Sequence, residues 1–426
     1  MTTTRPQRTH PQGRPNPQSG PGPSSARIPL RRIFAAENSN YFLLLGVTLF
    51  LVIFGLVMVL SSSTIESYIA EQGFFGRFAR QGLFAVIGIP LMLVASRMPS
   101  GFWRKWAWPA LLLGGGLQLL VFVPGIGIVS GGNRNWIGIG GFTAQPSEFV
   151  KIALIVWVAW ILSTKQSVLD DWRHVLLPIA PISAAAIGFV LIGGDLGTAA
   201  VMILILFGLL YFGGVKLRFL AVGAGAIAVL AYLFSKANSS RTSRIEIWLN
   251  GCTAEDYSGY CWQPEHANWA LAAGGWFGKG LGNSVAKWNW LPAASSDYIF
   301  AIIGEELGLI GAIVVLVLFV VLAIAFVRII RASTDSFGRI VTSGVMVWVI
   351  GQAFVNIAVV LGVLPVLGVP LPLISAGGTA LIANLLGIGI VLSFARTTST
   401  TPEPTVEQSP AERSRLLAAQ RLRSRA

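Results

Sequence analysis

The sequence predicts an all-α polytopic membrane protein with about ten transmembrane helices and one long extracytoplasmic loop between the seventh and the eighth. Three observations carry this. Of 426 residues, 54% are hydrophobic and 12% are charged, with a mean hydropathy of +0.69, whereas a soluble domain has roughly 25% charged residues. Apolar runs close to the ~20 residues that a helix needs to cross hydrocarbon recur along the chain. Lys and Arg divide unevenly between alternate loops, as expected where cytoplasmic loops carry the basic excess.

Residues 1–36 are rich in Pro, Gly, Ser and Arg and hold no apolar run. They cannot bury enough surface to fold alone and are expected to be a disordered, basic cytoplasmic tail. No charged stretch, apolar core and cleavage site precede the first run, so that run itself is expected to direct insertion. The runs follow near 41–62, 82–96, 107–127, 146–163, 175–192, 197–214, 218–234, 308–327, 341–363 and 378–395, and together they define a membrane domain over 37–396. Pro146 suits the first position of the fourth helix. The loop 235–296 is long for a compact protein, which marks it as functional or disordered. Its aromatic residues, Trp248, Trp262, Trp269, Trp276, Trp288 and Trp290 with Tyr257, Tyr260 and Phe277, suit a headgroup interface. Residues 397–426 read as a cytoplasmic tail, either disordered or folding its end, AERSRLLAAQRLRSRA, into a short basic helix on the membrane or a partner.

An even number of spans puts both termini on one side. With both in the cytoplasm, the outer side holds Arg77, Arg80, Arg134, Lys236, Arg241, Arg244, Lys279 and Lys287. Lys151 lies within the fourth run, and every other of the 31 basic residues falls inside. The net charge of +13 is then a cytoplasmic excess, which reads as topology signal and attraction to anionic lipid rather than as nucleic-acid binding.

Cys252 and Cys261, the two cysteines of the chain, lie in the long loop. On an oxidising side they suit a disulfide. Zinc is the competing reading, but it usually wants four close N or S ligands, and His266 is the one histidine nearby. The pairs Gly304/Gly308 and Gly387/Gly389 suit close helix packing. Gly223-Ala224-Gly225 sits in an apolar run with no preceding strand, so it is not a dinucleotide turn, and there is no phosphate-binding P-loop.

The stretch from Gly282 to Gly308, GNSVAKWNWLPAASSDYIFAIIGEELG, sets polar and acidic residues directly against an apolar run. A carboxylate at the lip of the hydrocarbon, as Asp297 would be, is costly and usually marks a working site. It can equally cap a helix that starts at Tyr298. Glu148 and Lys151 share a helical face at i, i+3 and suit an ion pair, structural or substrate-contacting. Asp195 suits the cap of the sixth helix.

Several ordered stretches resemble one family. Gly280-Leu281-Gly282-Asn283-Ser284, Lys287, Leu291-Pro292, Asp297, Phe300-Ala301 and Gly304-Glu305-Glu306-Leu307-Gly308 form one. Asn135-Trp136-Ile137 with Gln145-Pro146-Ser147-Glu148 and Lys151 form another, and Asp195-Leu196-Gly197-Thr198-Ala199 a third. The last runs from Asn356 through Gly362-Val363-Leu364-Pro365 and Gly368-Val369-Pro370-Leu371-Pro372 to Ile374-Ser375 and Gly377-Gly378. In this order, over roughly 40–396, they resemble the SEDS family of FtsW and RodA proteins, nearer its division branch than its elongation branch. Arg134, Gly193-Gly194, Ala376 and Thr379-Ala380 depart from the family's usual residues.

The resemblance implies a peptidoglycan glycosyltransferase that polymerises lipid II into glycan strands at the outer face of the bacterial cytoplasmic membrane during cell division. The alternatives are a RodA-like elongation polymerase, a lipid II flippase or a division scaffold. Asp297 is then expected to be the catalytic base. Lys287, Arg244, Arg241 and Lys279 are expected to meet the pyrophosphate, and Glu148, Lys151, Asp195 and Ser375 to contact substrate. A divalent cation, Mg or Mn, could share the charge, held by one or two carboxylates plus substrate phosphates. The implied partners are the growing strand on undecaprenyl pyrophosphate, a class B penicillin-binding transpeptidase, other division proteins and membrane lipid, with no nucleic acid.

Overall fold

The structure, a computed structural model, describes residues 39–400 except 72, 131, 140–141, 170, 237–238 and 254–255. For 139, 142, 172, 231–236, 239–241 and 397–400 it describes the backbone alone. These residues belong to one unit, Glu37–Ala426. The expectations for the head 1–36 and for the tail beyond residue 400 lie outside the described residues.

A helix occupies each of the ten predicted runs: α1 (Ser39–Ile69), α2 (Gly76–Ala95), α3 (Ser100–Leu120), α4 (Pro146–Thr164), α5 (Trp172–Ile192), α6 (Leu196–Phe212), α7 (Leu217–Lys236), and, beyond two shorter helices in the long loop, α8 (Ser239–Asn250) and α9 (Trp262–Gly274), then α10 (Ile299–Ala332), α11 (Ser336–Val360) and α12 (Gly378–Thr400). Among the described residues, seven helices are long and apolar enough to cross a membrane: α1, α2, α4, α5, α10, α11 and α12. In α6 and α7 the apolar stretch is shorter. Among the described residues, side-chain caps begin three helices: Asp171 accepts from Arg173 N, Asp195 from Thr198 N and Asp335 from Phe337 N. Each cap satisfies a backbone N–H that the first helical turn leaves unpaired.

α4 is the buried axis of the bundle, with Leu154, Trp157, Val158 and Ala159 fully covered. Around it pack α3, α6 and α11; α12 packs on α2, and α10 on α1 and α11. Between α3 and α4 lies an antiparallel sheet that the hydropathy does not signal. Its strands β1 (Gly127–Ser130), β2 (Asn133–Ile139) and β3 (Phe142–Ala144) are ordered β1-β2-β3, with Ile128 opposite Trp136 and Ile137 opposite Ala144.

The long loop carries structure. Cys252 and Cys261 are joined by a disulfide. Trp262 stacks on His266 with centroids 4.0 Å apart, and its indole N–H donates to Trp290 O at 2.7 Å. His266 Nδ1 lies 2.8 Å from Trp262 O, so this histidine belongs to an aromatic stack. Trp276 and Phe277 instead face outward, 69% and 82% exposed. Their turn is tied to α10, because Leu309 N donates to Gly275 O at 2.9 Å and Ile310 N to Trp276 O at 3.3 Å.

Gly308 corrects the expectation of a simple small-residue packing pair. Its φ of +70° and ψ of −169° break α10 into two helices, a conformation that glycine adopts without strain. A Cβ there would collide with the backbone of Gly278 and Trp276. Gly304, by contrast, does serve packing, against Leu271 of α9.

Candidate active site

Asp297 precedes α10 but does not cap it. The cap position falls on Tyr298, with no side-chain cap bond, so the Asp297 carboxylate is not consumed by the helix. Its backbone is held firmly. Asp297 O accepts from Asn356 Nδ2 at 2.7 Å, Ser296 O from Ser375 Oγ at 2.6 Å, and Ser295 O from Ala376 N at 2.9 Å. Ser295 Oγ also meets Glu66 Oε2 at 3.0 Å and Arg77 Nη1 at 3.2 Å, which couples the loop to α1 and α2.

The wall opposite is the segment between α11 and α12. A Cβ on Gly368, whose φ is +67°, would lie 3.6 Å from Asp297 Oδ2. Burial, and secondarily the charge of Asp195, pushes the Asp297 carboxyl up from 3.8 to about 6; a hydrogen bond from Ser296 and the charge of Arg244 oppose this. A carboxylate tuned upward toward neutrality is suited to accept a proton from a hydroxyl.

Asp195 both caps and faces the site. Its Oδ1 accepts from Thr198 N at 2.8 Å, while Oδ2 accepts from Thr198 Oγ1 at 2.7 Å and Gln145 Nε2 at 2.9 Å. Arg244, on α8, donates to Val366 O at 3.4 Å and lies 5.8 Å from the Tyr260 ring centre. No carboxylate among the described residues pairs with it within salt-bridge range. It lines a cavity of about 260 Å³ with Tyr260, Trp262, Gln263, Pro292 and Val366, and a second of about 160 Å³ that reaches Trp248 and Pro365.

The other cations differ. Lys287 is buried, 3.2 Å from Glu306 Oε1, and donates to Gly282 O. Lys279 pairs with Glu305 Oε1 at 2.8 Å. Glu305 further accepts from Ser284 Oγ at 2.6 Å and from the N–H groups of Val285 and Ala286, and Ser61 of α1 donates to Glu306. These two ion pairs clip residues 279–287 onto the first half of α10, a partnership that spans the loop and is not visible in local spacing. The Arg241 side chain lies outside the described residues.

Glu148 and Lys151 form the expected ion pair, 2.8 Å apart and both buried. Lys151 also donates to Gln352 Oε1 at 3.2 Å, and Gln352 Nε2 donates to Pro370 O at 2.9 Å. The pair therefore reaches the wall beside Asp297 through one amide. Ser375, which bonds Ser296 O and accepts from Leu371 N at 2.8 Å, is used within the protein to join two loops. Sequence reasoning assigned no role to Gln352, Asn356, Gln145 or Gly368. Two amides a turn apart within an apolar helix were the available signal, since polar groups there are rare and need partners.

The family model described as "Cell cycle protein" (FTSW_RODA_SPOVE) matches residues 41–400. The chain belongs to the FtsW/RodA/SpoVE family. Among similar proteins of this family is the probable peptidoglycan glycosyltransferase FtsW of Mycobacterium tuberculosis, 40% identical over 382 residues, which are 90% of this chain and 72% of the relative. The stage V sporulation protein E of Bacillus subtilis is 37% identical over 363 residues, 84% of this chain and 98% of that one. A chain from a solved structure described as "Structural coordination of polymerization and crosslinking by a peptidoglycan synthase complex" superposes with a TM-score of 0.69 at 25% identity, covering 84% of this chain and 98% of its own.

Proposed function

We propose that this protein is a peptidoglycan glycosyltransferase that polymerises lipid II during division, with the long loop on the outer face of the cytoplasmic membrane and both termini inside. The relatives named as FtsW support the activity. The observations that carry the mechanism are a carboxylate that does not cap its helix, Asp297, and a cation near enough for its charge to act on it, Arg244, which lines an open cavity and has no carboxylate partner among the described residues. The acceptor sugar hydroxyl attacks the anomeric carbon of the growing chain. Its O–H bond breaks toward Asp297 as the new C–O bond forms, and the bond to undecaprenyl pyrophosphate breaks. Arg244 offers charge-assisted hydrogen bonds to the negative charge that develops on the departing phosphate.

Among the described residues no group of three or more His, Cys, Asp or Glu side chains is placed to hold a metal. The Asp195 oxygens are already engaged by Thr198 and Gln145. A divalent cation would therefore sit on Asp297 and substrate phosphates, as magnesium does where one or two carboxylates suffice. The solved synthase complex supports a crosslinking partner of the penicillin-binding class. The division-type relatives support septal placement.

Asp297→Asn in purified protein tests the assignment. Polymer yield from lipid II should fall by roughly 10²–10⁴, the range for losing a positioned acid–base group, with folding and partner binding retained. Near-normal polymer from folded protein would overturn it. A flippase would still translocate lipid II with this change, and a scaffold would still support division.

A further inference from the structure

Asn356 lies on α11, is 2% exposed, and uses one amide to hold two loops. Its Nδ2 donates to Asp297 O and to Val369 O, both at 2.7 Å. The rotamer is determined by these acceptors, because turning the amide over would set Oδ1 against two carbonyl oxygens. Oδ1 itself is buried without a partner, and an unsatisfied buried acceptor is costly. An apolar residue of similar shape would avoid that cost, so the amide is poorly explained as core filling.

One turn earlier, Gln352 repeats the arrangement. It accepts from Trp348 Nε1 at 2.9 Å and donates to Pro370 O at 2.9 Å. Two amides on one face of α11 thus fix three carbonyls, of Asp297, Val369 and Pro370. The segment 363–370 has no regular secondary structure; the N–H groups of Val363 and Leu364 tie its start to Ala358 O, while Pro370 has no N–H to give, so side chains help define the path of its far end. Gly368, next to Val369 in the chain, faces the Asp297 carboxylate across the site, where an added Cβ would lie 3.6 Å from Oδ2.

We propose that Asn356 is the positioning residue of the reaction, holding the base Asp297 at a set distance from the Gly368–Pro370 wall by bonding both of their loops through one NH2 group. The inference rests on Asp297 being the base. A displacement of about 1 Å at the reacting centre can cost on the order of 100-fold. Losing both bonds should therefore lower kcat much more than it raises KM for lipid II.

The test is a kinetic cycle on full-length protein in proteoliposomes. Asn356→Ala should reduce kcat by about 10–100-fold and change KM by less than about threefold, with Asn356→Ser, which keeps a single donor, in between. In an Asp297→Glu background the carboxylate already sits one methylene away from its place, so adding Asn356→Ala should cost less than about threefold; contacting residues that act together are not additive. Equal losses in the two backgrounds, a pure KM effect, or full activity of folded Asn356→Ala would overturn the proposal. If Asn356→Ala does not fold, the Asn356→Ser arm of the same cycle decides. An active Asp297→Asn protein would instead sink the base assignment on its own, which keeps the two failures distinct.

Discussion

At pH 5, lipid II polymerisation should run at about one-tenth of its rate at pH 7.5, because a carboxyl titrating near 6 is then deprotonated in roughly one molecule in eleven. An unshifted carboxyl at 3.8 would remain more than nine-tenths ionised at that pH. The causes of the shift can be separated by charge. Asp195→Asn keeps a side-chain oxygen for the cap of α6 but removes the charge that raises Asp297, so the acid limb should move to lower pH. Arg244→Gln removes the opposing charge, so the limb should move to higher pH, and the plateau should fall as the leaving group loses its cation. Initial rates of glycan formation from pH 4.5 to 8, with thermal unfolding followed in parallel, read both effects. The parallel melt is informative because the folded carboxyl binds its proton more tightly than the unfolded one. This group therefore stabilises the fold below about pH 4, and that contribution is lost as pH rises from 3.8 through about 6. Asp297 thus gives no reason for unfolding at pH 5. An acid limb near pH 4, or limbs that move in the same direction in the two variants, would refute the reasoning.

Glu148→Gln leaves Lys151 buried without a counter-charge and should destabilise the protein by about 3–5 kcal/mol, seen as a lower thermal midpoint that Lys151→Met partly restores. Lys287→Met should likewise cost stability by stranding the buried carboxylate of Glu306, and Glu306→Gln in the same chain should recover much of it. Loss of activity with an unchanged melting point would show instead that Lys287 meets substrate. Phe277→Cys adds a thiol to a chain whose own two cysteines are bridged. An environment-sensitive fluorophore there should emit as in an apolar medium and be quenched by brominated lipid in proteoliposomes, since its turn is bonded to the first exposed apolar residues of the spanning part of α10; water-like emission would contradict this.

Hydropathy placed a helix in every apolar run because transfer into lipid is decided residue by residue, with little dependence on distant partners. Helix ends were harder to read. α3 runs from Ser100 to Leu120 rather than over 107–127, since Pro99 opens it and the turn at Pro124-Gly125 lies beyond its end. The three strands before α4 are short, and Gly138 interrupts β2, so no alternation long enough to register is present. The break at Gly308 depends on contact with Gly278 and Trp276, far upstream in the chain, and the Lys279 and Lys287 partners are likewise set by the fold.

The site itself turns on a shift of one residue. From spacing, Asp297 could cap the coming helix or serve as a base, and the two uses compete for the same oxygens. With the cap position on Tyr298, the helix begins without a side-chain acceptor, a loss worth about 1 kcal/mol. Nearby polar groups follow the opposite rule. Asp195 is engaged by Thr198 and Gln145, Lys279 and Lys287 by glutamates, Ser375 by two loops, and Lys151 by Glu148 and Gln352. With these charges given partners, the carboxylate that declines its cap and the arginine that no described carboxylate pairs with are the groups proposed to meet a substrate.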